Sequence, residues 1–235
     1  NILTPAGFRT EALDGIKNGD LDLIIDYIGG DQAALAPDDA PSPDPAKVRE
    51  TLAPLPQKMG ATLLPYSPAV DGDAFVVRGD SEASTISDVK GLDYRFAASS
   101  QCFERPQCYI GLTSPSIYDI TFKSKKTLEF GPLLGEALKA NETDAVIWNT
   151  TAPQIEADGF KVLEDDKGLF PAQNIAPIVR TEVLDAYGTQ LAEDLNALSE
   201  MITTADLLAW NTATDIDKDE SDAVATSWLA EKDLN

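Results

Sequence analysis

The chain has 235 residues, with 40 acidic and 18 basic side chains and a formal charge of −22. Nucleic acids and anionic membrane surfaces are themselves negative, so this charge disfavours both as partners. The chain contains no histidine, which excludes Ser-His-Asp catalysis, Cys-His catalysis and histidine-ligated zinc. We therefore expect no nucleic-acid partner, no metal and no cofactor.

The first sixty residues predict helices around one buried strand. Residues 10–19 have the pattern of a short helix that ends at a glycine. The mostly apolar residues 21–28 follow as a buried strand, and the Gly-Gly pair after them predicts a turn. Residues 37–45 are a Pro/Asp-rich surface loop, and a helix over 46–59 is expected to break at its prolines.

Strands and helices alternate through the rest of the chain. Strands are predicted over 61–67, 73–79, 94–99, 118–123, 144–148, 160–168 and 174–180. A helical turn over 86–92 and a helix over 132–140 lie between them, and three helices follow over 189–202, 204–214 and roughly 219–232. This alternation is typical of an α/β protein with a parallel or mixed sheet. The length allows one large domain or two lobes.

The two cysteines, Cys102 and Cys108, are separated by five residues. Two thiolates alone leave a zinc ion under-ligated, and the spacing differs from that of a C-x-x-C redox pair. The spacing favours a local disulfide over two free buried thiols. Closing so short a loop would stabilise the fold by about 2–2.5 kcal/mol. A disulfide would also indicate an extracytoplasmic protein.

A family resemblance rests on seven strings that occur in a fixed order. They are NGDLDLIIDYIGG, DGDAFVV, ISDVKGL, QCFERPQCYIGL, GEALKANETDAVIWNTTAPQI, LEDDKGLFPAQNIAPIVR and LNALSEMITTADLLAWN. Each resembles a stretch of the substrate-binding proteins of ATP-binding-cassette (ABC) importers for glycine betaine, choline and carnitine. The match includes both cysteines and covers nearly the whole chain, so the collinear order is far more specific than any one string.

The resemblance implies an α/β fold of the type II periplasmic-binding-protein class. Such a fold has two α/β lobes, with a hinge and a ligand cleft between them. Residues 1–77 and 176–235 would form lobe one, and residues 78–175 would form lobe two. The chain would cross between lobes after Val77 and again near 172–175.

The function implied by the resemblance is solute capture without catalysis. The expected solute is a quaternary ammonium osmolyte such as glycine betaine, choline or carnitine, or a related small cation. The other expected partner is the membrane permease of the importer, and we expect the chain itself to be a monomer. Its expected location is extracytoplasmic, in the periplasm or as a cell-surface lipoprotein of a Gram-positive bacterium.

Three candidate ligand residues follow from the resemblance and from the chemistry of the solute. A quaternary ammonium has no N–H to donate, so aromatic faces must hold it by cation–π attraction. Tyr27 and Trp148 fall on aromatic positions of the family's site, and Arg105 falls on its carboxylate-binding arginine. Each has an alternative interpretation: Tyr27 could pack on its own lobe, Trp148 could belong to the core, and Arg105 could form a surface salt bridge.

Other positions depart from the family pattern. Asp73 and Gln173 stand where aromatic residues would complete the cage, and Gly30 replaces a threonine that often contacts the ligand. Asp73 could offer negative charge to an ammonium, while Gln173 and Asn149 could hydrogen-bond an ammonium N–H or a hydroxyl. This mixture leaves the solute open between choline, carnitine and a less methylated amine.

Two other functions remain as alternatives at the level of sequence. One is a secreted acid-base hydrolase that uses paired carboxylates, although no acidic pair has a distinctive spacing. The other is a ligand-sensing module that keeps the binding fold without a transporter.

Overall fold

The computed structural model describes residues 9–234. The strands, in chain order, are β1 (Leu23–Tyr27), β2 (Ala61–Leu63), β3 (Asp73–Val77), β4 (Arg95–Ala98), β5 (Ser124–Thr127), β6 (Ala145–Asn149), β7 (Lys161–Leu163) and β8 (Ile175–Arg180). The α-helices are α1 (Arg9–Asn18), α2 (Ile28–Leu35), α3 (Pro45–Leu52), α4 (Pro54–Gln57), α5 (Gly111–Thr113), α6 (Pro132–Lys139), α7 (Gln154–Ala157), α8 (Thr181–Tyr187), α9 (Thr189–Met201), α10 (Thr204–Thr212) and α11 (Ser221–Glu231). The fold is therefore α/β, as predicted.

The chain divides into two compact units. Unit 1 comprises residues 1–72 and 170–203, and unit 2 comprises residues 73–169 and 204–235. The chain thus passes between the units three times, after Gly72, Leu169 and Thr203. The predicted hinge and ligand cleft stay predictions.

This division differs from the predicted lobes, 1–77 with 176–235 and 78–175, at its boundaries. Strand β3 lies in unit 2 because its residues pair with β6 and β7. The C-terminal helices from Thr204 onward also belong to unit 2. There the Asn211 side chain donates hydrogen bonds to the carbonyl of Thr151, at 3.2 Å, and to its Oγ1, at 2.9 Å. The two crossings that the family resemblance implies had assigned those helices to lobe one.

Unit 1 is built on an antiparallel sheet with the strand order β1-β8-β2. Ile24 pairs with Ile178, and both side chains are buried, whereas Ile25 points outward. This alternation places one face of the sheet against the helices. The buried core of the unit consists of Ala12, Leu13, Ile16, Ile24, Ile28, Val48, Leu52, Ala61, Leu63, Ala172, Ala176 and Ile178.

Unit 2 is built on a mixed sheet with the strand order β5-β4-β6-β3-β7. β4 runs parallel to β5 and β6, and β3 runs antiparallel to β6 and β7. One face packs on a core of Ala74, Val76, Ala97, Leu134, Leu138, Val146, Trp148 and Ala152. The alternate residues Phe75 and Phe96 join an aromatic cluster with Phe103, Tyr109 and Phe122. Both faces are therefore covered.

Two predicted elements differ in the structure, and one helix is additional. The Gly-Gly pair lies at the start of helix α2 and does not form a loop. Gly29 approaches another segment closely, since a Cβ there would lie 2.4 Å from the carbonyl oxygen of Ala172. Residues 118–123 form no strand, although Tyr118 and Ile120 are buried. The strand in this part of the chain, β5, begins only at Ser124. Helix α8, which follows β8, was not predicted.

Within residues 9–234, no helix combines the length and the apolar character that crossing a bilayer requires.

Candidate ligand-binding site

Unit 2 contains a polar cavity of about 250 Å³. Its lining residues are Asp73, Ser99, Ser100, Gln101, Arg105, Glu129, Phe130 and Ile147. Ser99 follows β4 directly, Glu129 and Phe130 lie just beyond β5, and Ile147 lies in the middle of β6. The cavity therefore opens where the parallel strands β4 and β5 end, beside β6, and such strand ends are where open α/β sheets commonly bind ligands.

Asp73 reaches this edge of the sheet from the opposite direction. It is the first residue of β3, which is antiparallel to β6, and it pairs in register with Asn149 at the end of β6. Directly paired residues place their side chains on the same face of a sheet. The predicted residues Asp73 and Asn149 thus share a face, although Asn149 does not line the cavity. Its Nδ2 donates to Thr151 Oγ1 at 3.1 Å.

The disulfide loop positions Arg105. Cys102 and Cys108 are bonded, which confirms that prediction. Arg105 has an extended backbone between the two short helical turns that hold these cysteines. Its Nη2 donates to Asp73 Oδ2 at 2.8 Å, while its buried Nε has no hydrogen-bond partner in the described part of the chain. Arg105 is therefore both a partly exposed ion-pair residue and a cavity residue.

Phe130 is a cavity residue that sequence reasoning missed. The residue is 54% exposed, so its ring is accessible to a ligand. It lies in the string EFGP, where Gly131 adopts φ 119° and Pro132 begins α6. The Gly-Pro pair after a strand could have indicated Phe130 as a site residue. Such a pair fixes a sharp turn, which leaves the preceding residue at the end of the sheet.

Trp148 is a core residue, and its predicted role as an aromatic wall of the site is not supported by its position. The side chain is 2% exposed and packs in the core of unit 2. A Cβ on Gly135 of α6 would lie 2.9 Å from Trp148 Cη2, so the indole lies directly against that helix. Trp148 pairs with Ala74, one residue from the Asp73–Asn149 pair. Because successive residues of a strand face opposite sides, Trp148 points away from the cavity.

Unit 1 holds the other two predicted ligand residues. The Tyr27 hydroxyl donates to Asp71 Oδ2 at 3.1 Å, and the Gln173 Oε1 accepts from the backbone N–H of Gly30 at 3.1 Å. The backbone of Asp71 also donates to the carbonyl of Gln173, at 3.2 Å. Burial, followed by the negative charge of Asp71, raises the pKa of Tyr27, so its ring is that of a neutral phenol. The structure therefore brings Tyr27, Asp71 and Gln173 together.

The side chain of Arg9 occupies the space beside Gly30. A Cβ on Gly30 would lie 2.3, 2.4 and 2.5 Å from Cζ, Nη2 and Nη1 of Arg9, so the guanidinium lies flat against this glycine. Asp26 holds the guanidinium through two hydrogen bonds, from Nε at 2.9 Å and from Nη2 at 2.8 Å. Any side chain at position 30, including a threonine, would displace Arg9.

The chemistry of the cavity fits a small charged solute. Its two carboxylates and one guanidinium can bind groups of opposite charge, and the Phe130 ring can face a cation. No group of three or more potential metal ligands occurs among residues 9–234. The volume is below the roughly 300–1,000 Å³ of pockets for drug-sized ligands, which favours a smaller molecule.

The two α/β units, each built on its own sheet, give the chain the fold of a two-lobed binding protein of the periplasmic type. Residues 3–231 match the family described as the substrate-binding domain of the ABC-type glycine betaine transport system. The chain belongs to this family, as the sequence resemblance had indicated. Because the family consists of transporter binding domains and not of enzymes, it disfavours the alternative of a hydrolase with paired carboxylates.

Three similar proteins illustrate the relationship. A carnitine transport binding protein of Listeria monocytogenes is 28% identical over 161 residues, covering 66% of this chain and 51% of that protein. A glycine-betaine-binding protein of Pseudomonas aeruginosa is 31% identical over 102 residues, covering 43% of this chain and 32% of that one. A crystal structure described as a glycine betaine/carnitine/choline ABC transporter is 25% identical with a TM-score of 0.82, covering 97% of this chain and 85% of that one. The chain spans about half the length, or less, of these curated relatives.

Proposed function

We propose that this chain captures a small quaternary ammonium solute and delivers it to the membrane permease of an ABC importer. The observation that carries the proposal is the cavity of unit 2, in which an exposed aromatic ring stands beside carboxylates and a guanidinium. Aromatic faces attract ammonium groups that cannot donate hydrogen bonds, and the charged groups can bind the polar end of such a solute. Membership of the family and the solutes named for its relatives support the same class.

The proposed contacts are those the sequence indicated, with one replacement. Asp73 and Arg105 contribute charge, and Asn149 contributes an amide at the same sheet face. Tyr27 and Gln173, which lie together in unit 1, stay predicted ligand residues. Phe130 takes the place of Trp148 as the aromatic contact of unit 2.

We also propose an extracytoplasmic location, in the periplasm or at the surface of a Gram-positive cell. Both cysteines are joined in a disulfide, and disulfides persist mainly in oxidising compartments. Monomeric behaviour stays our expectation, and sedimentation of the purified chain measures it.

Titration calorimetry tests the proposal. Glycine betaine, carnitine and choline should bind, whereas glycine and ethanolamine, which lack the methyl groups, should bind much more weakly. Phe130→Ala should weaken binding of the quaternary amines about tenfold, equivalent to about 1.4 kcal/mol, because it removes a cation–π contact.

Leu133→Ala is the matched control for this variant. Leu133 is equally exposed, at 54%, and lies three residues away, outside the cavity lining. Its loss should leave binding within twofold. The proposal fails if no quaternary amine binds, or if the two variants have the same effect.

A further inference from the structure

The charges that line the cavity of unit 2 do not balance. Two carboxylates, Asp73 and Glu129, face one guanidinium, Arg105. Arg105 and Asp73 compensate each other through an ion pair of 2.8 Å. Glu129 is exposed and makes no ion pair or hydrogen bond within the described residues. The cavity therefore carries one negative charge in excess.

The nearest basic residues along the chain do not neutralise Glu129. Lys126 is paired with Glu142 at 2.7 Å. The ammonium of Lys125 lies over the rings of Phe103 and Tyr109, at 5.3 and 5.1 Å from their centroids. Both lysines of β5 thus have other partners, and the excess charge at the cavity persists.

The uncompensated carboxylate and the aromatic ring favour the same kind of group. Phe130 follows Glu129 directly, and both line the cavity. A cation gains from the π face and from the carboxylate together. The carboxylate of a zwitterion would share Arg105 with Asp73 and would be repelled by Glu129.

We propose that the cavity of unit 2 selects solutes of net positive charge, so that choline, a quaternary ammonium alcohol, binds more tightly than zwitterionic glycine betaine. The proposal rests on the proposed function, because it takes this cavity as a contact of the solute. It goes further by naming the charge class of the solute and by assigning the selectivity to Glu129.

Calorimetry with choline and glycine betaine tests the proposal on the wild type and on Glu129→Gln. The wild type should bind choline more tightly. Glu129→Gln should weaken choline about tenfold and glycine betaine less than threefold, because the carboxylate attracts a net cation more strongly than a zwitterion. Raising the ionic strength should weaken choline binding in the wild type more than in the variant.

Glu82→Gln is the matched control, since Glu82 is an exposed glutamate of unit 2 that does not line this cavity. It should leave the ratio of the two affinities within twofold. Asp73→Asn provides an independent variant: it releases Arg105 from its ion pair and should shift the ratio toward glycine betaine.

Three outcomes would overturn the inference: tighter binding of glycine betaine by the wild type, an unchanged ratio in Glu129→Gln, or an equal change in Glu82→Gln. If Phe130→Ala still weakens both solutes in any of these cases, the proposed function stands and only the charge selectivity fails. If no quaternary amine binds, both are wrong.

Discussion

Replacing Trp148 with alanine should lower the free energy of unfolding by about 3–5 kcal/mol, the usual cost of truncating a buried tryptophan. The indole is 2% exposed and lies against Gly135 of α6, within the core that joins this helix to the sheet. Its removal leaves a cavity that a neighbouring glycine cannot fill. The affinity of the folded protein for its solute should change less than twofold, because Trp148 faces away from the cavity of unit 2.

Urea unfolding measures the loss of stability, and calorimetry below the unfolding transition measures the affinity. Tyr187→Ala serves as the control, since Tyr187 is strongly exposed and its loss should cost less than about 0.5 kcal/mol. A variant that keeps its stability but loses solute binding would restore Trp148 to the binding site.

The local features of the chain were predictable from the sequence. The short loop between Cys102 and Cys108 involves few residues, so the spacing alone indicated the disulfide and placed Arg105 within it. The alternation of strands and helices likewise indicated an α/β fold. Such features depend on residues that are close together in the sequence, so a sequence pattern is enough to predict them.

The side-chain faces of β6 were not predictable in the same way. Its residues Ala145 to Trp148 are all buried because both faces of the central strand are covered. A continuous apolar run contains no alternation to distinguish the faces. Only the pairing of Asp73 with Asn149 shows that Trp148 belongs to the opposite side.

Position 30 and Phe130 depended on contacts distant in sequence. Gly30 reads as a turn residue, but the space beside it is filled by Arg9, a side chain of a different helix. The exposure of Phe130 depends on where β5 ends beside its partner strand β4. The sequence predicted this strand several residues too early, over 118–123. Neither contact can be recognised from the local sequence around these residues.

The environment of Asp31 in unit 1 leads to the second large effect, a dependence of stability on pH. The side chain is fully buried in the first turn of α2, and neither carboxylate oxygen has a hydrogen-bond partner among the described residues. Arg9 Nε lies 3.5 Å from Oδ1. Burial, followed by the negative charge of Asp26, raises the pKa of Asp31 to about 8, against the opposing effect of Arg9.

Because the folded state binds this proton more tightly than the unfolded state, protonation of Asp31 stabilises the fold. The stabilisation is complete below the unfolded pKa near 4 and is lost as the pH rises toward 8, by at most about 1.4 kcal/mol per pH unit. The chain has no histidine that would titrate in this range.

We expect the urea concentration at the unfolding midpoint to fall between pH 5 and pH 8 in the wild type. It should change much less in Asp31→Asn, which keeps a neutral side chain at every pH. Asp14→Asn, an exposed change on α1, should retain the wild-type slope. Equal slopes in Asp31→Asn and the wild type would show that Asp31 keeps its charge in the folded protein, with Arg9 compensating its burial.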